Sequence, residues 1–164
     1  MTLHQAFEWL EATSVGVMVR ESQWGFQILV AIHLMAIMLS VGTLVWFDLR
    51  LLGVSMTGYR ASLMYRRLMP WMFTGFGLMI ISGLTLLAGF ATSAYSNAYF
   101  RIKVLAMVVA AINAFLYHRY TERRIKEWDD LPTPPTAARS AGLVSICVWA
   151  TVIIAGRMMS YTMF

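Results

Sequence analysis

Residues 24–46, WGFQILVAIHLMAIMLSVGTLVW, make a run of 23 residues with no formal charge and one ionisable group, His33. A run of that length and polarity spans the hydrocarbon core of a bilayer as a helix. Trp24 and Trp46 suit the two headgroup levels, and Asp48 and Arg50 close the run. An ionisable side chain inside such a run is costly to keep there, so His33 is a candidate functional residue from the outset.

Composition supports a whole chain built on this plan. It has 164 residues, 59% hydrophobic and 13% charged, with mean hydropathy +0.65. A soluble domain carries about 25% charged residues, so the class is integral membrane. The length holds about four spans of about 20 residues with short loops, as one domain with no soluble module. The net charge of +5 is no nucleic-acid signal, because the basic residues stand at span ends. The single cysteine, Cys147, lies in an apolar run, so neither an internal disulfide nor a CxxC metal site is expected. No cleavable signal peptide is expected, since the first twenty residues hold Glu8 and Glu11 and no long apolar run.

In chain order, residues 2–12 place Leu3, Ala6, Phe7 and Leu10 at helical spacing, a short amphipathic helix lying in the interface. Residues 13–23 read as a connector. Span one is about 24–47, and its stripe His33, Ala36, Ser40, Thr43, Phe47 should face other helices. A loop over 48–70 follows, with Pro70 expected at the first helical position of span two, about 71–90. Gly75, Ser82 and Gly89 repeat every seven residues there, a small-residue seam for close packing. Residues 91–100 read as an uncharged interfacial turn. Span three, about 101–118, aligns Lys103, Ala106, Ala110, Asn113 and Tyr117 on one face. The loop 119–140 contains the stiff proline cluster LPTPP, and span four is about 141–161. The expected fold is an all-α four-transmembrane-helix bundle with a short amphipathic N-terminal helix. The two loops after spans one and three hold nine of the thirteen basic residues. The positive-inside rule then puts them in the cytoplasm and, for a bacterial inner-membrane protein, both termini in the periplasm. Small-residue seams also favour a homo-oligomer.

Depth decides which groups can meet. His33 lies nine residues from Trp24, roughly 13 Å in at the helical rise. Arg101 and Lys103 open span three and Arg157 nears the end of span four, so all share the outer half with His33. His118 belongs to the inner end, at least about 10 Å deeper. His33 reads as a metal or haem ligand or a proton carrier, or else as a neutral histidine bonded to a polar neighbour such as Asn113. Lys103 reads as a snorkelling cation, a partner for ligand carboxylates, or a catalytic amine with Arg101 and Arg157 near the same anionic groups. Asp48 is expected to pair with a loop arginine as a structural clamp. Met35 and Met38 lie close in sequence to His33, which raises copper(I) as an alternative ligand, although packing accounts better for most of the methionines.

The stretch HLMAIMLSVGTLVWFDLRLLG resembles the first helix of the copper-resistance D-like membrane proteins, a superfamily that includes a membrane protoporphyrinogen oxidase. YFRIKVLAMVVAAINAFLYHRY resembles the third helix of that oxidase. The closer likeness is to bacterial four-span proteins with the DLRLLG signature and a glycine-arginine pair in the last span, here Gly156–Arg157. The resemblance to the oxidase implies b-type haem, with His33 and Lys103 as the essential pair. Lys103 and His118 stand fifteen residues apart, about one turn more than in the oxidase, so a haem or porphyrin site is implied more strongly than that reaction. The expectation is therefore a b-type haem or porphyrin-binding membrane redox protein with His33 as axial ligand, lipid around it and a redox partner; whether it is an oxidoreductase stays open. The copper relatives imply copper passage using His33 and Met35 or Met38, and a non-catalytic structural subunit is the third reading.

Overall fold

The structure, a computed structural model, describes residues 2–129, 131 and 133–163. The described elements are helical: α1 (Leu3–Glu11), α2 (Ser14–Glu21), α3 (Gly25–Leu52), α4 (Ala61–Gly89), α5 (Ala91–Ser96), α6 (Ala98–Leu116), α7 (Ile125–Trp128) and α8 (Thr136–Met163). A π-helical turn (Tyr117–Thr121) and a 3-10 turn (Glu122–Arg124) join α6 to α7. Helices α3, α4, α8 and the continuous stretch Ala98–Trp128 are long and apolar enough to cross a membrane. The chain is an integral membrane helical bundle.

The four long helices stand in the order α4, α3, α8, α6, because α3 packs on α4 and α8, α6 packs on α8, and α4 and α6 scarcely touch. Small residues set the spacing. Ala36, Ser40 and Phe47 of the α3 stripe are buried, as are Ala106, Ala110 and Tyr117 of the Lys103 face. A Cβ built on Gly75 would stand 2.6 Å from the Ser40 backbone nitrogen, so the two helices meet backbone to backbone there. One heptad on, Ser82 meets His33, and Gly89 receives Val19 of α2. The seven-residue seam is thus consumed inside the chain, by α3 first and then by α2.

Helices run beyond the expected spans. Gly53, with φ 74°, ends α3 in the left-handed conformation that a glycine adopts without strain, which explains the last letter of DLRLLG. Pro70 does not start a helix; it lies inside α4, whose first turns reach back to Ala61. Pro70 removes one ladder bond, and flanking Met69 and Met72 are buried, so packing holds the helix through it. The connector over 13–23 is also corrected, since α2 forms with Thr13 accepting the Gly16 amide and buries Gly16 and Val19. The turn over 91–100 contains α5, and its first turn is held by Glu11 of α1, which accepts the Thr92 amide at 2.8 Å and the Thr92 hydroxyl. Arg20 closes that clamp at 3.1 Å from Glu11. Pro132 of the proline cluster lies outside the described residues. The bulkier core, with Phe47, Leu51, Met64, Ile125 and Trp128, lies at the end of the bundle that carries the basic loops. We call this the basic end.

Candidate functional site

His33 is half-buried on α3, facing α4. Its Nδ1 lies 2.8 Å from Ser82 Oγ. The Ser82 hydroxyl already donates to the Leu78 carbonyl at 2.6 Å, so it offers the ring a lone pair and Nδ1 carries the hydrogen. That tautomer leaves the lone pair on Nε2. Gly83 makes room for the ring: a Cβ there would stand 3.1 Å from His33 Cε1, tighter than ordinary contact. Lys103 of α6 is near enough to interact electrostatically with His33, and its side chain runs along Gly156 of α8, with Nζ 3.8 Å and the stem carbons Cδ and Cε 3.9 Å from a Cβ built there. No carboxylate among the described residues offsets the Lys103 charge. A ring lone pair and a cation thus lie within electrostatic reach of each other, with no described carboxylate acting on the Lys103 charge.

A family model matches residues 6–162, nearly the whole chain. The chain belongs to DUF6644, a family of unknown function. No curated protein and no solved structure matches it.

Within this DUF6644 fold the other candidates are placed apart. Arg101 is exposed and donates to the Tyr95 carbonyl at 3.5 Å. Arg157 is exposed, donates to the Tyr161 hydroxyl at 3.0 Å and stacks 4.7 Å above its ring. Asn113 does not bond His33; its Nδ2 donates to the Ala141 carbonyl at 3.0 Å, about 15 Å along α6 from Lys103. Met35 and Met38 are 70% and 75% exposed on the lipid side, turned away from the His33 ring. Among the described residues no group of three or more His, Cys, Asp or Glu side chains gathers to hold a metal ion.

The basic end holds a second polar cluster, mostly of residues not singled out in the sequence. His118 Nδ1 lies 3.3 Å from the Tyr65 hydroxyl and 3.4 Å from a Glu122 carboxylate oxygen. The α4 partners of the two histidines, Ser82 and Tyr65, are 17 residues apart, about 25 Å at the helical rise, so His33 and His118 do not share a centre. Asp48 is not clamped by an arginine. Its carboxyl lies near the Ser145 side chain of α8 and its Oδ2 is buried without a hydrogen-bond partner, while the Arg50 Nε donates to the Tyr59 carbonyl at 2.8 Å. Ser82 was visible in the sequence only as a member of the packing seam. Tyr117 was visible only as a member of the Lys103 face, and Tyr65 and Ser145 gave no signal, because their neighbours lie on distant helices.

Outside the spans, Glu11 is the group whose titration is set by the fold. Burial pushes its carboxyl up, but the Thr92 hydroxyl, the Thr92 amide and the Arg20 charge together outweigh it and hold it below the ordinary glutamate range.

Proposed function

We propose that the chain is a b-type haem or porphyrin-binding redox protein of the bacterial inner membrane, with His33 as the axial ligand. The carrying observation is the His33 ring itself: Nδ1 is committed to Ser82, Nε2 keeps its lone pair, and Gly83 withholds a side chain from the ring edge. Metal-ligating histidines are held in this way, one nitrogen anchored by a neighbour so that the other points at the metal. The residues therefore fit an axial-ligand role. Bound haem would supply one-electron redox chemistry at its iron. Ser82 fixes the tautomer and the ring plane. Lys103 is the cation placed to meet an acidic side group of the ligand, unopposed by any described carboxylate. Arg101 and Arg157, engaged with Tyr95 and Tyr161, are left out of this assignment.

The resemblance to the copper-resistance D-like superfamily supports the same reading. Copper passage would draw on Met35 and Met38, whose outward direction favours the tetrapyrrole instead. The basic loops, by the positive-inside rule, support both termini on the periplasmic side and with them the His33 site in the periplasmic half. The partners of this reading are lipid, a redox partner and a second copy of the chain, the last through surfaces other than the Gly75–Gly89 seam. The test is the visible spectrum of the purified full chain, supplied with haem during expression. A Soret band is expected in the parent and is lost or strongly shifted in His33→Ala at unchanged helical content. A parent that stays colourless with haem in supply sinks the proposal.

A further inference from the structure

The end of the bundle opposite the basic loops carries a groove that the His33 site does not use. It lies where α1, packed on α5, faces the first turns of α6, and its volume is about 350 Å³, within the range of small-ligand sites. Leu3 and Phe7 line it from α1, Arg101, Val104 and Val108 from α6, and Tyr95 from α5. Phe7 packs against the Tyr95 ring at 5.2 Å and the Phe100 ring at 6.4 Å between centroids. Thr2 caps α1, and Glu11 ties it to Thr92 of α5. These contacts fix α1 in place, so the wall it forms is built into the fold.

The one charged residue in the described lining is Arg101. Its guanidinium is exposed and leans on the Tyr95 carbonyl, 3.5 Å from Nη2, a long contact that leaves most of its five N–H donors free. None of the described ion pairs includes it. The acids of α1 are engaged elsewhere, Glu8 with His4 at 3.2 Å and Glu11 with Thr92 and Arg20. Lys103, two residues on, turns to the other side of α6, towards His33 and Gly156. From residue 101 to residue 108 the groove follows α6 for about 10 Å, roughly the outer third of a hydrocarbon core about 30 Å thick. The exposed Trp24, at the start of α3, marks the headgroup level at this end.

A free cation at headgroup level with an apolar channel below it is complementary to one kind of molecule in the bilayer. A phospholipid of net negative charge offers a phosphate to the guanidinium and a chain to the channel. A zwitterionic lipid offers the same phosphate, but its own ammonium competes with Arg101 for it. A soluble anion would use the cation and leave the channel unfilled. We infer that this groove binds one anionic phospholipid, its phosphate on Arg101 and the upper part of one acyl chain between α1 and α6. Bound there, the lipid bridges two helices that share few contacts of their own and fastens the N-terminal helix to a membrane span. The site stands independently of any tetrapyrrole at His33.

Native mass spectrometry tests it, on the full chain released from micelles that hold equal amounts of phosphatidylglycerol and phosphatidylethanolamine with the same acyl chains. One phosphatidylglycerol is expected to stay bound in preference to phosphatidylethanolamine. Arg101→Gln should lower its retention at least about tenfold, the loss of a charge-assisted hydrogen bond, and erase the preference. Val108→Trp, at a half-exposed position, fills the lower groove and should lower retention of both lipids. If Val108→Trp does not fold, Leu3→Trp fills the groove from the α1 side. Arg157→Gln, which removes an exposed cation engaged with Tyr161, should retain lipid as the parent does. Excess inorganic phosphate should not displace the lipid. The inference is overturned if the parent holds the two lipids equally, if Arg101→Gln or the groove-filling variant retains phosphatidylglycerol as the parent does, if Arg157→Gln loses it as Arg101→Gln does, or if inorganic phosphate displaces it.

Discussion

Gly75→Ala offers a sharp check on the packing that positions His33. A Cβ at residue 75 would stand 2.6 Å from the Ser40 nitrogen and 2.9 Å from its Cα and Cβ. Ordinary carbon contacts are about 3.5–4.0 Å, so the shortfall is about 1 Å. Two of the three obstructing atoms are backbone, so no rotamer change relieves the clash and α3 and α4 must part. Overpacking of this kind costs about 1–3 kcal/mol, and the rigid obstruction places this case towards the upper end. Gly77→Ala is the internal control, two residues along the same helix, with nothing within 4 Å of its Cβ. It should gain up to about 1 kcal/mol from removing a mid-helix glycine. The two alanine variants should therefore differ by at least about 2 kcal/mol, roughly thirtyfold in the unfolding constant. Equilibrium unfolding in mixed micelles, followed by circular dichroism, reads the difference. A Gly75→Ala protein as stable as Gly77→Ala would refute the backbone contact between α3 and α4.

Three further outcomes follow from named contacts. Glu11 is held below the ordinary glutamate value of about 4.3. Its clamp on Thr92 is therefore fully present above that value and is lost as pH falls through the lowered folded value. Amide exchange at Thr92 should accelerate on that acid side in the parent and show no such step in Glu11→Gln; the same acid step in both would contradict the clamp. Asp129 accepts both the amide and the hydroxyl of Ser62 in the first turn of α4, so Asp129→Ala should cost about 1.5–3 kcal/mol, read as faster exchange in that turn, and unchanged exchange would dismiss the contact. Ser82→Ala removes the hydroxyl beside His33 Nδ1 and leaves the Met79 carbonyl as the ring's remaining neighbour, so nitrogen NMR of the imidazole should show a smaller share of the Nδ1–H form than in the parent; a parent already mixed would count against the Ser82 anchor.

Much of the fold is legible in residue order because the bilayer makes hydropathy a strong signal. The stripes on α3 and α6 were readable since the helical period and residue size alone decide which face is covered, and Ala36, Ser40, Ala106 and Ala110 are buried accordingly. The α2 helix was missed because its buried face is only Gly16 and Val19, too small a stripe to register as a period. Pro70 misled because its preference for a first helical position is weaker than the packing of Met69 and Met72 around it. For the site, depth arithmetic brought His33 towards Lys103 and away from His118, but it ranks residues along the membrane normal only. It has no information on rotation, which is what sends Arg157 to Tyr161 and Asn113 to Ala141. Ser62 with Asp129 joins residues 67 positions apart, and no local pattern encodes such a pair.

The central claim, that His33 Nε2 is a ligand for a haem iron, is tested most directly by deleting the imidazole and returning it. His33→Gly in nanodiscs, titrated with haem b, should show weak binding and an altered Soret band, and free imidazole added to that sample should restore the spectrum of the parent. The claim is contradicted if His33→Gly binds haem as the parent does, with the same spectrum before and after imidazole is added.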